Sequence, residues 1–236
     1  MISIIPARKG SKGVLNKNFR TIPGLNINLV DLTILQAVLS KKFEKIIITC
    51  DCDYIPNKSI RKLIDISFVI VKRPPDLALD KSPVEDAIMH LYKEDHIKCF
   101  DKICLLQPTS PMRIPESIAL VVDFFRISGT PVTGVTNVGD KHPSRMYQIK
   151  DSNLIRIWEE PAIRRQDLTN IYLRNGLFYL FKFKDILKNK RITDLDFRAF
   201  DVPSQQSLNI DEVEDWHMLE TKASKGELDW VKKYIF

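Results

Sequence analysis

Two familiar nucleotide-binding signatures are missing from this 236-residue chain. Neither G-x-x-x-x-G-K followed by Ser or Thr nor G-x-G-x-x-G occurs, which argues against a P-loop kinase and a nicotinamide dehydrogenase. Cysteine is scarce. Cys50, Cys52, Cys99 and Cys104 form no C-x-x-C pair and have no histidine pair beside them, so nothing supports a zinc site and the thiols read as reduced. His90, His96, His142 and His217 fall in no metal-binding or hydrolase motif. Only His142 lies in a polar loop, and the other three read as surface residues. The net charge is +6, yet no run of five basic residues occurs and no basic stripe is interleaved with aromatics. That pattern excludes an extended nucleic-acid-binding tail and instead suits a compact anionic ligand. Apolar runs are too short to span a bilayer. No basic n-region precedes the apolar stretch at Ile2, and the expected compartment is the cytoplasm. Internal repeats and low-complexity linkers are also absent.

An apolar fraction of 44% suits one α/β domain over residues 1–236 with a good core. The most informative stretch is the first. Ile2 to Ile5 reads as a fully buried parallel strand bounded by Pro6. The loop after it carries Gly10, Ser11 and Gly13 among Arg8, Lys9, Lys12, Lys17 and Arg20. Glycines let backbone N–H groups crowd an anion and the cations neutralise it, so the loop fits a polyphosphate.

Beyond the loop, strand and helix alternate. Helical spacing predicts a helix over 29–39, a strand over 45–50, a short helix over 58–64 and a strand over 68–71. The second strand ends in Asp51 and Asp53, at the edge where open α/β sheets place ligands. Ser82-Pro83-Val84-Glu85 has the spacing of a capped helix start, with Ser at the cap and Glu three residues on. Another strand over 102–106, a helix from Pro115 to about residue 127 and a strand over 131–136 complete a mainly parallel sheet flanked by helices. From about 142 to 190 the character changes. Strands over 146–150, 154–158 and 171–181 follow without helices, which predicts an antiparallel arm. Residues 203–210 are expected to return to the main sheet, ahead of helices over 211–223 and after Glu227.

Taken in order, six segments resemble the acylneuraminate cytidylyltransferases, the CMP-sialic acid synthetase family. They are IPARKGSKGVLNKN (5–18), the TCDCDYI segment, KRPPDLALD, LLQPTSPMR (105–113), RRQDLTNIYLRNGLFY (164–179) and SLNIDEVEDW (207–216). The resemblance covers about residues 2–215. It implies a Rossmann-like nucleotidyltransferase fold and a reaction in which CTP and a nine-carbon 2-keto sugar acid give the CMP-sugar and pyrophosphate, with Mg2+ required. It also implies residue roles. Arg8, Ser11 and Lys12 match the triphosphate cradle, Lys17 the lysine against the reacting phosphate, and Asn18 a nucleotide contact. Arg73 falls where the family has a base-side arginine, and Asp76, a further nucleotide-side residue, where a carboxylate often follows the proline. Gln107, Thr109 and Ser110 match the sugar-binding loop, and Tyr172, Arg174, Asn175 and Gly176 the acceptor side, with Arg165 and Gln166 nearby. Residues 142–190 match an arm that completes a partner's site, which implies a homodimer with Arg165 acting in trans.

Three departures accompany the resemblance. The family's D-I-D magnesium pattern reads Asn209-Ile210-Asp211 here, so Asp211 keeps the second position and a neutral amide stands in the first. Amide oxygens hold hard cations less tightly than carboxylates. Asp51 or Asp53 then shares the metal, or binding is weaker, or the chain is a catalytically impaired nucleotide-binding relative. The usual G-K-P-L is replaced by Gly24-Leu25-Asn26-Ile27, and Lys81 stands where the family has Thr. An eight-carbon acceptor of the KDO type is the further alternative to a sialic-acid-like nonulosonate.

Overall fold

A computed structural model describes residues 1–99, 101–158, 164 and 168–236. Its first half follows the strand–helix alternation: β1 (Ile2–Ala7), α1 (Leu29–Ser40), β2 (Lys45–Cys50), α2 (Lys58–Leu63), β3 (Ser67–Lys72), α3 (Val84–Lys93), β4 (Lys102–Leu105), α4 (Pro115–Ser128) and β5 (Val132–Asn137). There follow β6 (Tyr147–Lys150), β7 (Asn153–Arg156), β8 (Tyr172–Lys182), α5 (Phe183–Asn189), β9 (Arg198–Asp201), α6 (Val213–Ser224) and α7 (Asp229–Ile235). Seven strands form one sheet in the order β3-β2-β1-β4-β8-β5-β9. β1 pairs in parallel with β2 and β4, and β2 with β3. β8 lies antiparallel between β4 and β5, and β9 closes the edge parallel to β5.

Side-chain alternation divides the core. Ile5, Ile46, Ile48 and Cys104 face one layer with α1, α4, α6 and α7; Ile4, Ile47, Ile103 and Leu105 face the other with α3 and α5. The two-residue period of a strand produces this split. α1 is buried nearly all round, and Asn28 and Asp31 cap its start reciprocally, Asp31 N donating to Asn28 Oδ1 at 2.9 Å. α4 begins on Pro115 and ends on Gly129 at φ 67°, whose N–H reaches Phe125 O at 2.9 Å.

Three details differ from the sequence-based expectation. The capped start at residue 82 does not form. Pro83 takes the cap position without a side-chain bond, Ser82 Oγ donates to Asp76 O at 2.9 Å, and Glu85 accepts from Ile192 N at 2.6 Å. A tertiary bond to a buried N–H outcompetes the local one. The stretch from 142 to 190 is not all arm. Among the described residues β6 and β7 pair only with each other, but β8 enters the main sheet because Leu177, Phe178, Leu180 and Phe181 are buried there. The return to the sheet is made by β9, earlier than 203–210; that later segment holds a 3-10 turn and then runs beside the β4 loop, Ile210 N donating to Thr109 O at 2.8 Å.

One close approach fixes where the first loop sits. A Cβ on Gly13 would lie 2.1 Å from Asp211 O, whereas one on Gly10 would meet nothing within 4 Å. Gly13→Ala is therefore expected to destabilise by about 1–3 kcal/mol, in the range of overpacked cores, and Gly10→Ala to stay within about 0.5 kcal/mol. Thermal unfolding of the two variants side by side checks this, and equal stabilities would remove the constraint.

Candidate active site

The carboxyl ends of β1, β3 and β4 open onto one cleft of about 360 Å³. Its wall includes Arg8, Lys17 and Asn18 from the first loop and Arg73 after β3. Gln107, Pro108 and Thr109 after β4 continue it, and Asn209 and Asp211 close it ahead of α6. Eight residues expected from the sequence thus converge from four loops, at the position where open α/β sheets bind ligands.

Ser11 lies beneath the loop. Its buried Oγ donates to Val14 O at 2.6 Å and accepts from Lys17 N at 2.9 Å, fixing the turn from which Lys17 projects. Lys17 Nζ then donates to Ile210 O at 2.6 Å and to Asp211 Oδ1 at 2.9 Å, with only 13% of its side chain exposed. Asn18 is held by its amide on Arg8 O at 3.0 Å. Arg73 is buried, with Nη2 on Ala7 O at 3.0 Å and Nε unpartnered among the described residues. Burial lowers its pKa from the usual arginine value.

Asp80, which no sequence pattern singled out, bridges two cations. Its carboxylate lies 2.7 Å from Arg8 Nη1 and 2.7 Å from Lys12 Nζ. The hydrogen bond from Lys12 and the charges of Lys12 and Arg8 hold its carboxyl below the ordinary aspartate range. An anion in the cleft would compete with this carboxylate for the same two groups. Ser82, also unforeseen, lines the cleft.

Other expected residues stand apart from the cleft wall. Lys12 is exposed, and Asp76 meets the site only through its backbone oxygen on Ser82. Asp51 accepts from Lys9 N at 2.8 Å and braces the loop from behind. Asp53 pairs with Lys72 at 2.8 Å at an exposed position. Neither lines the cleft that Asp211 lines. Ser110 is buried, its Oγ donating to Gly176 O at 3.4 Å. Tyr172 and Arg174 lie exposed on β8, the guanidinium 5.9 Å from the Tyr179 ring centre. Asn175 is buried, Oδ1 accepting from Leu177 N at 3.2 Å, while Nδ2 has no partner among the described residues. Gly176, at φ 72°, brings β8 against the cleft, since a Cβ there would sit 3.4 Å from Gln107 Oε1. Arg165 and Gln166 lie outside the described residues.

Asp211 is the only carboxylate in the described cleft wall. Its Oδ2 accepts from the Asn209 amide and its Oδ1 from Lys17. Among the described residues no group of three or more His, Cys, Asp or Glu is placed to cage a metal. The donors that are present, one carboxylate and nearby amide and carbonyl oxygens, suit a hard cation that brings most of its other ligands with it.

Among the described residues no helix is long and apolar enough to cross a membrane. Residues 2–212 match the cytidylyltransferase family model. The chain is 30% identical to the CMP-N,N'-diacetyllegionaminic acid synthase of Legionella pneumophila, with 93% of this chain and 94% of that protein aligned. It is 27% identical to the N-acylneuraminate cytidylyltransferase of Escherichia coli, aligning 97% of its own length but only 54% of that longer protein. A solved CMP:2-keto-3-deoxy-manno-octonic acid synthetase complexed with CTP superposes with a TM-score of 0.63 at 14% identity, over 95% of this chain and 98% of that one, which establishes the shared fold. With the family model spanning the loops that build the cleft, the chain belongs to the acylneuraminate cytidylyltransferase family of nucleotidyltransferases.

Proposed function

We propose that the protein transfers a cytidylyl group from CTP to the hydroxyl of a nine-carbon nonulosonic acid, releasing pyrophosphate. The observation that carries the reading is the convergence of Arg8, Lys17, Arg73, Gln107, Thr109 and Asp211 on one cleft at the strand ends. In the reaction an acceptor oxygen bonds to the α-phosphorus as the bond to pyrophosphate breaks. Cations must hold the leaving group, because charge builds on phosphate oxygens in the transition state. Arg8 and Lys12 supply that charge once a triphosphate replaces Asp80. Lys17 is poised at the cleft wall for the reacting phosphate, and Asp211 is the nearby carboxylate for the attacking hydroxyl or a cation. Arg73 and Asn18 hold the nucleotide side; Gln107, Thr109, Tyr172 and Arg174 lie toward the acceptor.

Magnesium would be held on the protein by Asp211, with Asn209, whose amide now donates to Asp211 Oδ2, as the neighbouring neutral ligand. When bound it neutralises charge on the nucleotide and its leaving pyrophosphate. The acceptor class is supported by the resemblance to synthases named for legionaminic and acylneuraminic acids.

A homodimer completes the reading. β6 and β7 are exposed along their whole length, with Ile149 77% and Leu154 67% accessible and Ile155, Ile157 and Trp158 also exposed. A lone two-stranded hairpin is marginal in water, and an apolar one gains by being covered. A second copy of the chain is the proposed cover.

Pyrophosphate release, measured with each of the four NTPs against a panel of 2-keto sugar acids and magnesium, tests the function. CTP-selective, sugar-dependent release is expected. CTP binding without release for any sugar would leave an inactive relative, and a salt-sensitive nucleic-acid complex without CTP binding would sink the reading altogether. Lys17→Ala should lower kcat by about a hundredfold or more and change CTP affinity little; a change in affinity alone would remove the lysine from the chemistry. Asn209→Asp should lower the magnesium concentration giving half-maximal rate, and an unchanged magnesium titration would show that position 209 does not face the cation.

A further inference from the structure

Arg113 is fully buried, and among the described residues its guanidinium reaches only neutral oxygens. Nε donates to Gln36 Oε1 at 3.3 Å, Nη1 to Leu177 O, and Nη2 to Gln107 O at 3.3 Å and Thr33 Oγ1 at 3.5 Å. Among the described residues it forms no ion pair. Burial pulls its pKa down to about 10, so the group still carries its proton and its charge at neutral pH. An unpaired buried charge is costly, and an apolar side chain of similar length would fill the space without that cost. The charge therefore calls for a reason beyond filling the core.

The partners supply one. Gln107 O belongs to a residue of the cleft wall, and Leu177 follows Asn175 and Gly176 on β8. Thr33 and Gln36 sit on α1, and Gln36 in turn grips the other side of the loop, Nε2 donating to Pro111 O at 2.9 Å and Arg113 O at 2.5 Å. Ser110 Oγ adds a bond to Gly176 O at 3.4 Å. One side chain thus ties the loop after β4 to the inserted antiparallel strand, with a buried helix as the fixed support. A guanidinium can do this because its five donors diverge in a rigid plane; an ammonium or a thioether cannot reach the same acceptors together.

We propose that Arg113 is a positioning residue that sets the Gln107–Thr109 wall of the cleft against residues 175–177 of β8 and thereby fixes the acceptor side of the site. The nucleotide side depends on a different set of bonds, those of Ser11, Lys17 and Asn18 within the first loop and its contact with Asp211. The two sides meet at one backbone bond, Ile210 N to Thr109 O at 2.8 Å, but the bonds of Arg113 itself reach only the acceptor side and α1. The inference rests on the cytidylyl-transfer reading for what it says of the acceptor, and on geometry alone for what it says of the two segments.

Arg113→Lys and Arg113→Met test it in the full-length protein, with amide hydrogen exchange and steady-state kinetics measured beside the wild type. In Arg113→Lys, exchange over 105–112 and 173–178 should rise by about tenfold or more while residues 2–7 and 45–50 keep their protection. KM for the sugar acid should rise, or kcat fall, by about tenfold or more, with KM for CTP within about twofold. Arg113→Met should show the same split if it folds. Uniform loss of protection across the sheet, or equal rises in both KM values, would overturn the proposal and leave Arg113 a support of general stability. Wild-type kinetics in Arg113→Lys would overturn it as well. If the wild type itself turns over no sugar, the functional reading fails separately, and the exchange pattern alone decides whether Arg113 ties the two segments.

Discussion

Lys17 Nζ meets Ile210 O and Asp211 Oδ1 across 193 and 194 residues of sequence, and most of what the cleft offers depends on that junction. It brings the loop after the first strand against the segment before α6 and closes the wall between them. Gly13 permits the junction, since any side chain there would strike the Asp211 carbonyl. Ser11 sets it up from below by fixing the backbone of Lys17. A cationic side chain that satisfies a carboxylate and a carbonyl at once is held in place yet close to water, where a phosphate oxygen could take over either bond.

The electrostatics of the cleft follow the same logic of exchange. Arg8 and Lys12 share Asp80, Lys17 holds Asp211, and Arg73 is buried against backbone oxygen. Repulsion among these cations is thereby damped while the side chains stay in their working directions. Preorganised charge of this kind needs little rearrangement when an anion arrives, which is the property that electrostatic catalysis demands. The wall after β4 is organised differently, by a buried guanidinium with only neutral partners among the described residues and by a strand that enters the sheet against its direction.

The parallel half of the fold was legible because its strands are short apolar runs buried on both faces and its helices keep a 3.6-residue stripe. The first loop was legible for a related reason, since its glycines and cations stand within a few residues of one another. Asp80 was not, because its meaning comes from Arg8 and Lys12, some seventy residues away. Ser82 and Glu85 had the spacing of a cap and were drawn off by Asp76 O and Ile192 N, partners that no local pattern reveals. The place of β8 was hidden as well. Its LFYLF run signals burial, but only pairing with β4 and β5 shows which sheet receives it. Arg113 stood in plain view within LLQPTSPMR, and its burial could not be inferred from a residue type that is mostly exposed.

The long reach of the Lys17 junction also has a consequence for synthesis. A ribosome delivers the loop of residues 8–18 early and residues 209–211 only after the whole parallel core has been made. Until then the loop has its glycines and its charges but no opposite wall, so a growing chain can bury its first strands while the cleft stays incomplete. The cleft closes only once residues 209–211 have been made, long after the loop that forms its other wall.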